Sequence, residues 1–391
     1  MPDPAWSVLI IDDDVDLCGQ IAEFLQGEDI SGDGEPVHVT TNTDFDDGLV
    51  VLEREHFDLL ILDLRRGGLK EGEGDDAGLQ VLQAIKLRRF IPVVFYTALP
   101  KHIPDGIKTP LVRVVGKNEG LGGLLTAVKE IFATKLPRVN RGFIRHVEGV
   151  QREYMWEFVA KNWAEFGTSS DHTSIAYFLA RRLAMSLSDA AVGQFVLDLG
   201  GDMGSAALTA GHVHPMRLYV MPPLHIDPLV GELFRGDVEG GEGYWILLTP
   251  SCDLAQKKAD RVVLAKAELL TDMAAHKAVH EGKADGKLKD ALKDVERLLS
   301  NSKSDRYFYL PECLEIPDLI IDLQHLVGCP CEVLDKLHRV ATLDSPFAES
   351  LVARFLRYFG RLGTPDLDVL AIMQRLYPKP DGGPAKAVAT G

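Results

Sequence analysis

Leu59-Leu60-Ile61-Leu62-Asp63-Leu64 decides the fold of the first third of this chain. Four apolar residues without alternation describe a strand buried on both faces, which requires a sheet covered by helices on both sides. The run then stops at a carboxylate. Val8 to Ile11 repeats the pattern and stops at Asp12, Asp13 and Asp14. Further out, Val37 to Thr41 reads as another strand and Val93 to Tyr96 as one that ends in Thr97. Leu111 to Val115 reads as the last, followed by Gly116 and Lys117. Between the strands, apolar residues fall at helical spacing: Leu17, Ile21, Phe24 and Leu25; Leu49 and Leu52 within Phe45 to Glu55; Leu79, Leu82 and Ile85; and Leu121 to Phe132. Short apolar strands alternating with amphipathic helices predict a doubly wound parallel α/β sheet.

In such a sheet ligands bind beyond the carboxyl ends of the strands. Asp12, Asp13, Asp63, Thr97 and Lys117 all fall there. Three carboxylates in one place repel one another unless a cation joins them, and an all-oxygen donor set with room for water suits Mg²⁺. Asp63 is then placed as a carboxylate nucleophile toward phosphorus. The metal and Lys117 would stabilise the oxygens of a transferring phosphoryl group, and Thr97 would hydrogen-bond one of them. Each residue also has a plainer reading, since an Asp after a strand commonly caps a helix. Asp14 and Asp16 are read as caps or solvated acids.

Ile11-Asp12-Asp13-Asp14, the Leu59–Leu64 strand, Phe95-Tyr96-Thr97-Ala98 and Gly116-Lys117 together resemble the receiver domains of two-component response regulators. The resemblance covers about a third of the chain. It implies Asp12 and Asp13 as the acidic metal pair, Asp63 as phosphoacceptor and third Mg²⁺ ligand, Thr97 as switch hydroxyl and Lys117 as the phosphoryl-contacting lysine. It also implies a flavodoxin-like strand order, 2-1-3-4-5. The chain departs from the pattern in three places. The loop after Asp63 is long and polar through Asp76, Asn118 follows Lys117 where a proline is usual, and Val114 stands where many receivers carry an aromatic residue.

With 391 residues the chain holds two or three domains. No apolar run approaches the ~20 residues of a membrane span, and the N-terminus lacks a signal-peptide pattern, so a cytoplasmic protein without membrane contact is expected. Acids outnumber bases 58 to 42, giving a formal charge of −16. Nucleic-acid binding rests largely on Lys and Arg neutralising phosphates, so no nucleic-acid partner is expected. Arg354, Arg357 and Arg361 on the C-terminal helix are the best candidates for a basic face, and three charges fall short of the ~6–10 phosphate contacts of a strong binder.

Residues beyond 134 divide by composition. Pro137, Asn140 and Gly142 suggest a connector. Tyr154 to Phe166, with Trp156, Phe158 and Trp163, suggests an aromatic-rich helix filling a helical core, and Ile175 to Leu187 a second helix. Gly193 to Gly211 turns the chain. Arg217 to Met221, Gly231 to Gly236, Tyr244 to Thr249, Arg261 to Lys266, Tyr307 to Leu310 and Leu319 to Leu323 read as strands. Residues 272–304 read as a charge-rich exposed helix. Phe347, Leu351, Phe355, Leu356 and Phe359 form the apolar face of a terminal helix, and a Pro/Gly/Ala-rich tail follows Pro378. The expected division is a receiver over 1–134, a helical connector over 135–210, an α+β output region over 211–377 and a tail over 378–391.

Five scattered cysteines without paired spacing imply reduced thiols. Cys252, in the phrase Leu248-Thr249-Pro250-Ser251-Cys252-Asp253-Leu254, has His212, His214, His225, Cys313, Cys329 and Cys331 as conceivable co-ligands, and a second metal site stays open. That phrase and the Arg357–Asp366 segment resemble uncharacterised bacterial families of phage-defence two-component systems, in which by analogy a receiver protein buffers a kinase's phosphoryl groups. Three readings follow. The first is a response regulator that takes a phosphoryl group from a histidine kinase and signals to an effector protein through a non-DNA-binding output region. The second is a phosphate sink, and the third a receiver-switched enzyme. Catalysis is not expected beyond phosphoryl transfer and aspartyl-phosphate hydrolysis in the receiver, and a homodimer is left open.

Overall fold

Side-chain caps set the helix starts. The Asp14 carboxylate accepts the Leu17 N–H at 3.0 Å, and Asp44 accepts the Asp46 and Asp47 N–H groups at 2.8 and 3.0 Å. Each satisfies donors that a first helical turn leaves free. The computed structural model describes residues 5–65, 76–163, 173–187, 214–280, 287–361 and 367–377, in two compact units, 1–210 and 211–391.

The first unit runs β1 (Trp6–Ile11), α1 (Val15–Gln26), β2 (Val37–Asn42), α2 (Phe45–Arg54), β3 (Leu59–Leu62), α3 (Ala77–Lys86), β4 (Val93–Thr97), β5 (Val112–Gly116) and α4 (Gly120–Ala133). The strands form one parallel sheet in the order β2-β1-β3-β4-β5, the flavodoxin-like arrangement. Every residue of β3 and β4 is buried, as their unbroken apolar runs require. Val8, Ile61, Val94 and Val115 face one core with α1 and α4; Leu9, Leu60, Phe95 and Val112 face the other with α2 and α3.

Two features depart from a regular alternation. Parallel strands are usually joined through a helix, yet β4 and β5 are joined by two 3-10 turns, Pro100–His102 and Asp105–Ile107. Pro100, Pro104, Pro110 and Gly106 interrupt any helix here, and Ile103, Ile107 and Leu99 pack onto the sheet instead.

The expected connector is the second departure. Pro137, Asn140 and Gly142 lie inside α5 (Leu136–Glu153). Pro137 sits in the first turn, where its missing N–H costs nothing, and Lys135 takes a left-handed backbone (φ 61°) that turns the chain out of α4. The nearly buried Arg141 guanidinium ties α5 to the amino ends of the strands. It bonds Asp58 through two nitrogens (3.2 and 2.8 Å), Glu35 (2.9 Å) and the Ala5 carbonyl (2.6 Å), and stacks 3.6 Å over Trp6.

A π-helical turn, Tyr154–Val159, continues α5. Tyr154 and Val159, five residues apart, take its inward positions. Trp156 and Phe158 are therefore exposed at 70% and 46%, and Trp163, beyond the turn, at 54%, contrary to the expected aromatic core. Helix α6 (Thr173–Ser186) also buries none of its residues. Phe166, the Gly193–Gly211 turn, most of the loop after Asp63 and the tail from Pro378 lie outside the described residues.

The second unit holds β6 (Tyr219–Val220), β7 (Glu232–Val238), β8 (Gly241–Leu247), α7 (Ser251–Ala255), β9 (Arg261–Leu269), α8 (Ala274–His280), α9 (Lys287–Leu299), β10 (Tyr307–Leu310), β11 (Leu319–Pro330), β12 (His338–Leu343), α10 (Phe347–Phe359) and α11 (Val369–Leu376). Its antiparallel sheet has the order β10-β11-β9-β8-β7-β12-β6. Residues alternate between two cores, Leu233, Ile246 and Ala265 on one side and Phe234, Trp245 and Leu264 on the other. The Tyr219 hydroxyl on edge strand β6 donates to the Pro311 carbonyl just past edge strand β10 (2.8 Å).

Several expected boundaries move. Arg217 and Leu218 belong to a 3-10 turn begun by Pro215, and the single charge-rich helix is two helices, α8 and α9. Strand β11 continues to Pro330 after an irregular register between Asp322 and Leu326. On α10 the inward stripe is Phe347, Leu351, Phe355 and Tyr358, four or three residues apart, so Leu356 and Phe359 fall outside it at 62% and 54% exposure.

Candidate functional site

Strand direction brings the sequence-derived residues to one end of the parallel sheet. Asp12 follows β1, Asp63 follows β3, Thr97 ends β4 and Lys117 follows β5. Asp12 and Asp63 are buried and Asp13 is exposed, with one carboxylate oxygen of each within 4.8 Å of the others. The Lys117 ammonium lies between two of them, 2.7 Å from Asp12 Oδ2 and 2.8 Å from Asp63 Oδ2. The remaining oxygens accept backbone donors: Asp12 Oδ1 from the Asp14 N–H (3.0 Å) and Asp63 Oδ1 from the Leu64 N–H (2.6 Å). Thr97 is buried, and its Oγ1 accepts the Leu99 N–H at 3.2 Å.

The electrostatics follow from burial and proximity. Burial raises the Asp12 carboxyl above its ordinary range, and the neighbouring Asp63 charge adds to this; hydrogen bonds from Lys117 and the Asp14 N–H oppose it without cancelling it. Burial works to lower Lys117, but its bonds to Asp12 and Asp63 outweigh that and hold it above its usual value. An ammonium held charged beside two carboxylates leaves negative charge in excess, which favours a further cation. Three carboxylates, one open to water, are a hard oxygen donor set that fits Mg²⁺.

Neighbouring residues to which the sequence reading gave no part in the site hold this arrangement. Gly78 opens α3 beside the phosphoacceptor candidate: its N–H donates to the Leu64 carbonyl at 2.9 Å, and a Cβ there would lie 2.3 Å from the Asp63 carbonyl oxygen. Its only sequence signal is a glycine placed where a helix begins. Cys18, counted only as a reduced thiol, donates to the Asp12 carbonyl at 3.3 Å and is pushed up to about 11 by burial. The Gly116 N–H donates to Glu119 Oε1 (2.8 Å), fixing the turn that carries Lys117.

The cysteines do not gather in the same way. Cys252 is exposed, Cys313 and Cys329 are buried, and Cys331 is half-buried. Among the described residues, Asp12, Asp13 and Asp63 are the only group of three or more His, Cys, Asp or Glu able to reach one ion; His212 lies outside those residues.

No model of a known protein family matches the chain, and no curated protein matches it. Among solved structures, the N-terminal third is similar to response-regulator receiver domains. The receiver domain of the Francisella response regulator 1452 is 19% identical over 33% of this chain and 97% of its own length, with a TM-score of 0.26. The response regulator TrrA from Thermotoga maritima, in complex with Mg(2+)-BeF, is 22% identical over 32% of this chain and 98% of its own, with a TM-score of 0.26. A CheY-like receiver domain protein from Methanospirillum hungatei is 22% identical over 33% and 95%, with a TM-score of 0.24. The C-terminal region has no characterised match.

Proposed function

We propose that this protein is a response regulator of a two-component system, in which a histidine kinase passes a phosphoryl group to Asp63. The observation that carries this reading is Lys117 seated between Asp12 and Asp63, with the Asp13 carboxylate beside them, at the carboxyl end of the parallel sheet. An Asp63 carboxylate oxygen attacks the phosphorus of a phosphohistidine; the P–O bond forms as the P–N bond breaks, the electron pair stays on the ring nitrogen, and the ring leaves as neutral imidazole with the proton its other nitrogen already carries. Asp12, Asp13 and Asp63 would hold Mg²⁺, which supplies charge stabilisation to the phosphoryl oxygens. Lys117 turns from Asp63 Oδ2 to a phosphoryl oxygen, and the Thr97 hydroxyl, whose oxygen accepts the Leu99 N–H, donates its proton to another.

An output through protein contacts is supported by Arg354 and Arg357 of α10 and by Arg361, which lies just past the end of that helix and not on it as expected. Arg354 donates to the carbonyls of Asn301, Ser304 and Tyr307, Arg357 pairs with Asp305 at 3.2 Å, and Arg361 stacks on Tyr358. With these cations engaged inside the chain, the proposed basic face is largely spent. A second reading, a phosphate sink for the kinase, is favoured by the helix-free β4–β5 crossover and by Val114, which together remove the usual means of passing the state of Thr97 to a helical surface. In both readings, labelling by a small phosphodonor with Mg²⁺, followed on phosphate-affinity gels, is lost in Asp63→Asn. Undiminished labelling of that variant overturns the assignment.

A further inference from the structure

The second unit carries a pair of imidazoles on α8 that the proposed phosphoryl transfer does not use. Of the chain's twelve histidines, only His276 and His280 stand four residues apart. That interval is close to one helical turn, so both side chains leave the same face of the helix. Their rings lie 4.6 Å apart, centre to centre, and are tilted by 48°. Two imidazoles sharing one tetrahedral ion, each with a nitrogen at about 2.0–2.1 Å from it, have ring centres about 5 Å apart. A small side-chain rotation therefore turns the observed pair into a chelate.

The rings are also free to take a ligand. His276 is half-buried and His280 exposed, and among the described residues neither has a hydrogen-bond or ion-pair partner. His325 and His338 differ, since they face Glu268 and Glu315 at 3.7 and 3.6 Å. Lys277, which follows His276, is drawn to Asp272 at 3.3 Å, so its charge is balanced locally and is not set against an ion. Met273, just before the helix, and Ala275 pack on Leu270, Leu298 and Ile320, which anchors α8 by its first turn. A helix of seven residues is well short of the ~12–15 that hold without outside support. An ion joining two positions one turn apart supplies such support. Imidazole nitrogen suits Zn²⁺, Cu²⁺ and Ni²⁺, whereas Mg²⁺ takes oxygen donors, so this pair and the Asp12, Asp13 and Asp63 carboxylates select different ions.

We infer that His276 and His280 chelate a divalent transition-metal ion of the zinc class, with water completing its shell, and that the ion staples α8. The inference does not depend on Asp63 taking a phosphoryl group.

The test titrates Zn²⁺ into the full chain with Mg²⁺ in excess, so that the acidic carboxylates are already supplied with their own ion. Imidazole signals in nuclear magnetic resonance spectra and the melting temperature are followed together. In the parent, the signals of His276 and His280 should move together as one equivalent binds, and the melting temperature should rise, because an ion that binds only the folded chain stabilises it. His276→Gln and His280→Gln should each weaken binding at least about tenfold. The double variant should lose little more than either, because one missing ring already breaks the chelate. His280→Gln alters an exposed side chain without a partner, so a parent-like melting temperature in the absence of zinc shows that this variant folds. Parent-like zinc affinity in the double variant, losses that add as for two separate sites, or rings that stay unmoved into millimolar zinc overturn the inference. Zinc binding that disappears when the thiols are blocked does so too, because it assigns the ion to the cysteines.

Discussion

In the parallel sheet, Asp12 and Asp63 sit past strand ends with one ammonium between them, whereas in the antiparallel sheet Glu232 and Asp322 sit within strands and each has its own arginine. The fully buried Glu232 meets Arg339 through both carboxylate oxygens and accepts the Leu229 N–H at 3.0 Å; Arg339 in turn donates to the His225 and Ile226 carbonyls. Asp322 takes a two-nitrogen contact from Arg306 at 2.7 and 2.5 Å and the Gln324 N–H at 2.9 Å. Burial would raise the Asp322 carboxyl, but the Arg306 bonds win and hold it below its ordinary range. One sheet leaves its buried acids short of positive charge, and the other neutralises them fully. The second arrangement serves the fold, and the first leaves the charge that the proposed cation would balance.

Removing a carboxylate should therefore have opposite consequences in the two units. Glu232→Ala leaves Arg339 without its partner and frees the 225–229 segment, and breaking a pair of this kind costs about 3–5 kcal/mol. Urea unfolding followed by the near-ultraviolet signal of Trp245, which lies beside β7, should show that loss. A change below about 1 kcal/mol, the size of an exposed ion pair, would erase the contrast between the sheets.

Gly78→Ala probes how tightly the first sheet holds its site. The new Cβ meets backbone at Asp63 and Leu64, so the loop carrying the proposed phosphoacceptor must move. Overpacking of this kind costs about 1–3 kcal/mol. The phosphodonor labelling rate should drop at least about tenfold, since a small misplacement of a reacting group is costly. Parent-like labelling would show that the loop yields without moving the Asp63 carboxylate.

How far the sequence can be read follows the same division. Parallel strands are continuous apolar runs that end in polar residues, so Asp12, Asp63, Thr97 and Lys117 are legible as a set from the order of residues alone. The crossover after Thr97 is less so, because its prolines show where a helix fails but not that Leu99, Ile103 and Ile107 pack onto the sheet in its place. Arg141 is illegible: it reads as an ordinary helical surface residue, and its partners Asp58 and Glu35 lie 83 and 106 residues away. In the second unit, β7 and β8 carry Gly236 and Gly243 inside paired strands, where they read as turn signals and displace the expected ends. The aromatic residues after Tyr154 mislead because a π turn changes which positions face inward, and local spacing does not reveal it.

The smallest expected stability effect is the most diagnostic for the site. Asp13 is exposed, makes no ion pair among the described residues, and lies within ligand distance of two buried carboxylates. The Lys117 ammonium is committed to Asp12 and Asp63, so Asp13 adds repulsion that a bound cation would relieve. Without Mg²⁺, Asp13→Ala should melt no lower than the parent. With Mg²⁺ the parent should rise in melting temperature while the variant does not, because only a protein that binds the ion gains stability from it. A variant that melts well below the parent without Mg²⁺ would make Asp13 a structural residue like Glu232. A variant that keeps the full Mg²⁺-dependent rise would place the ion elsewhere.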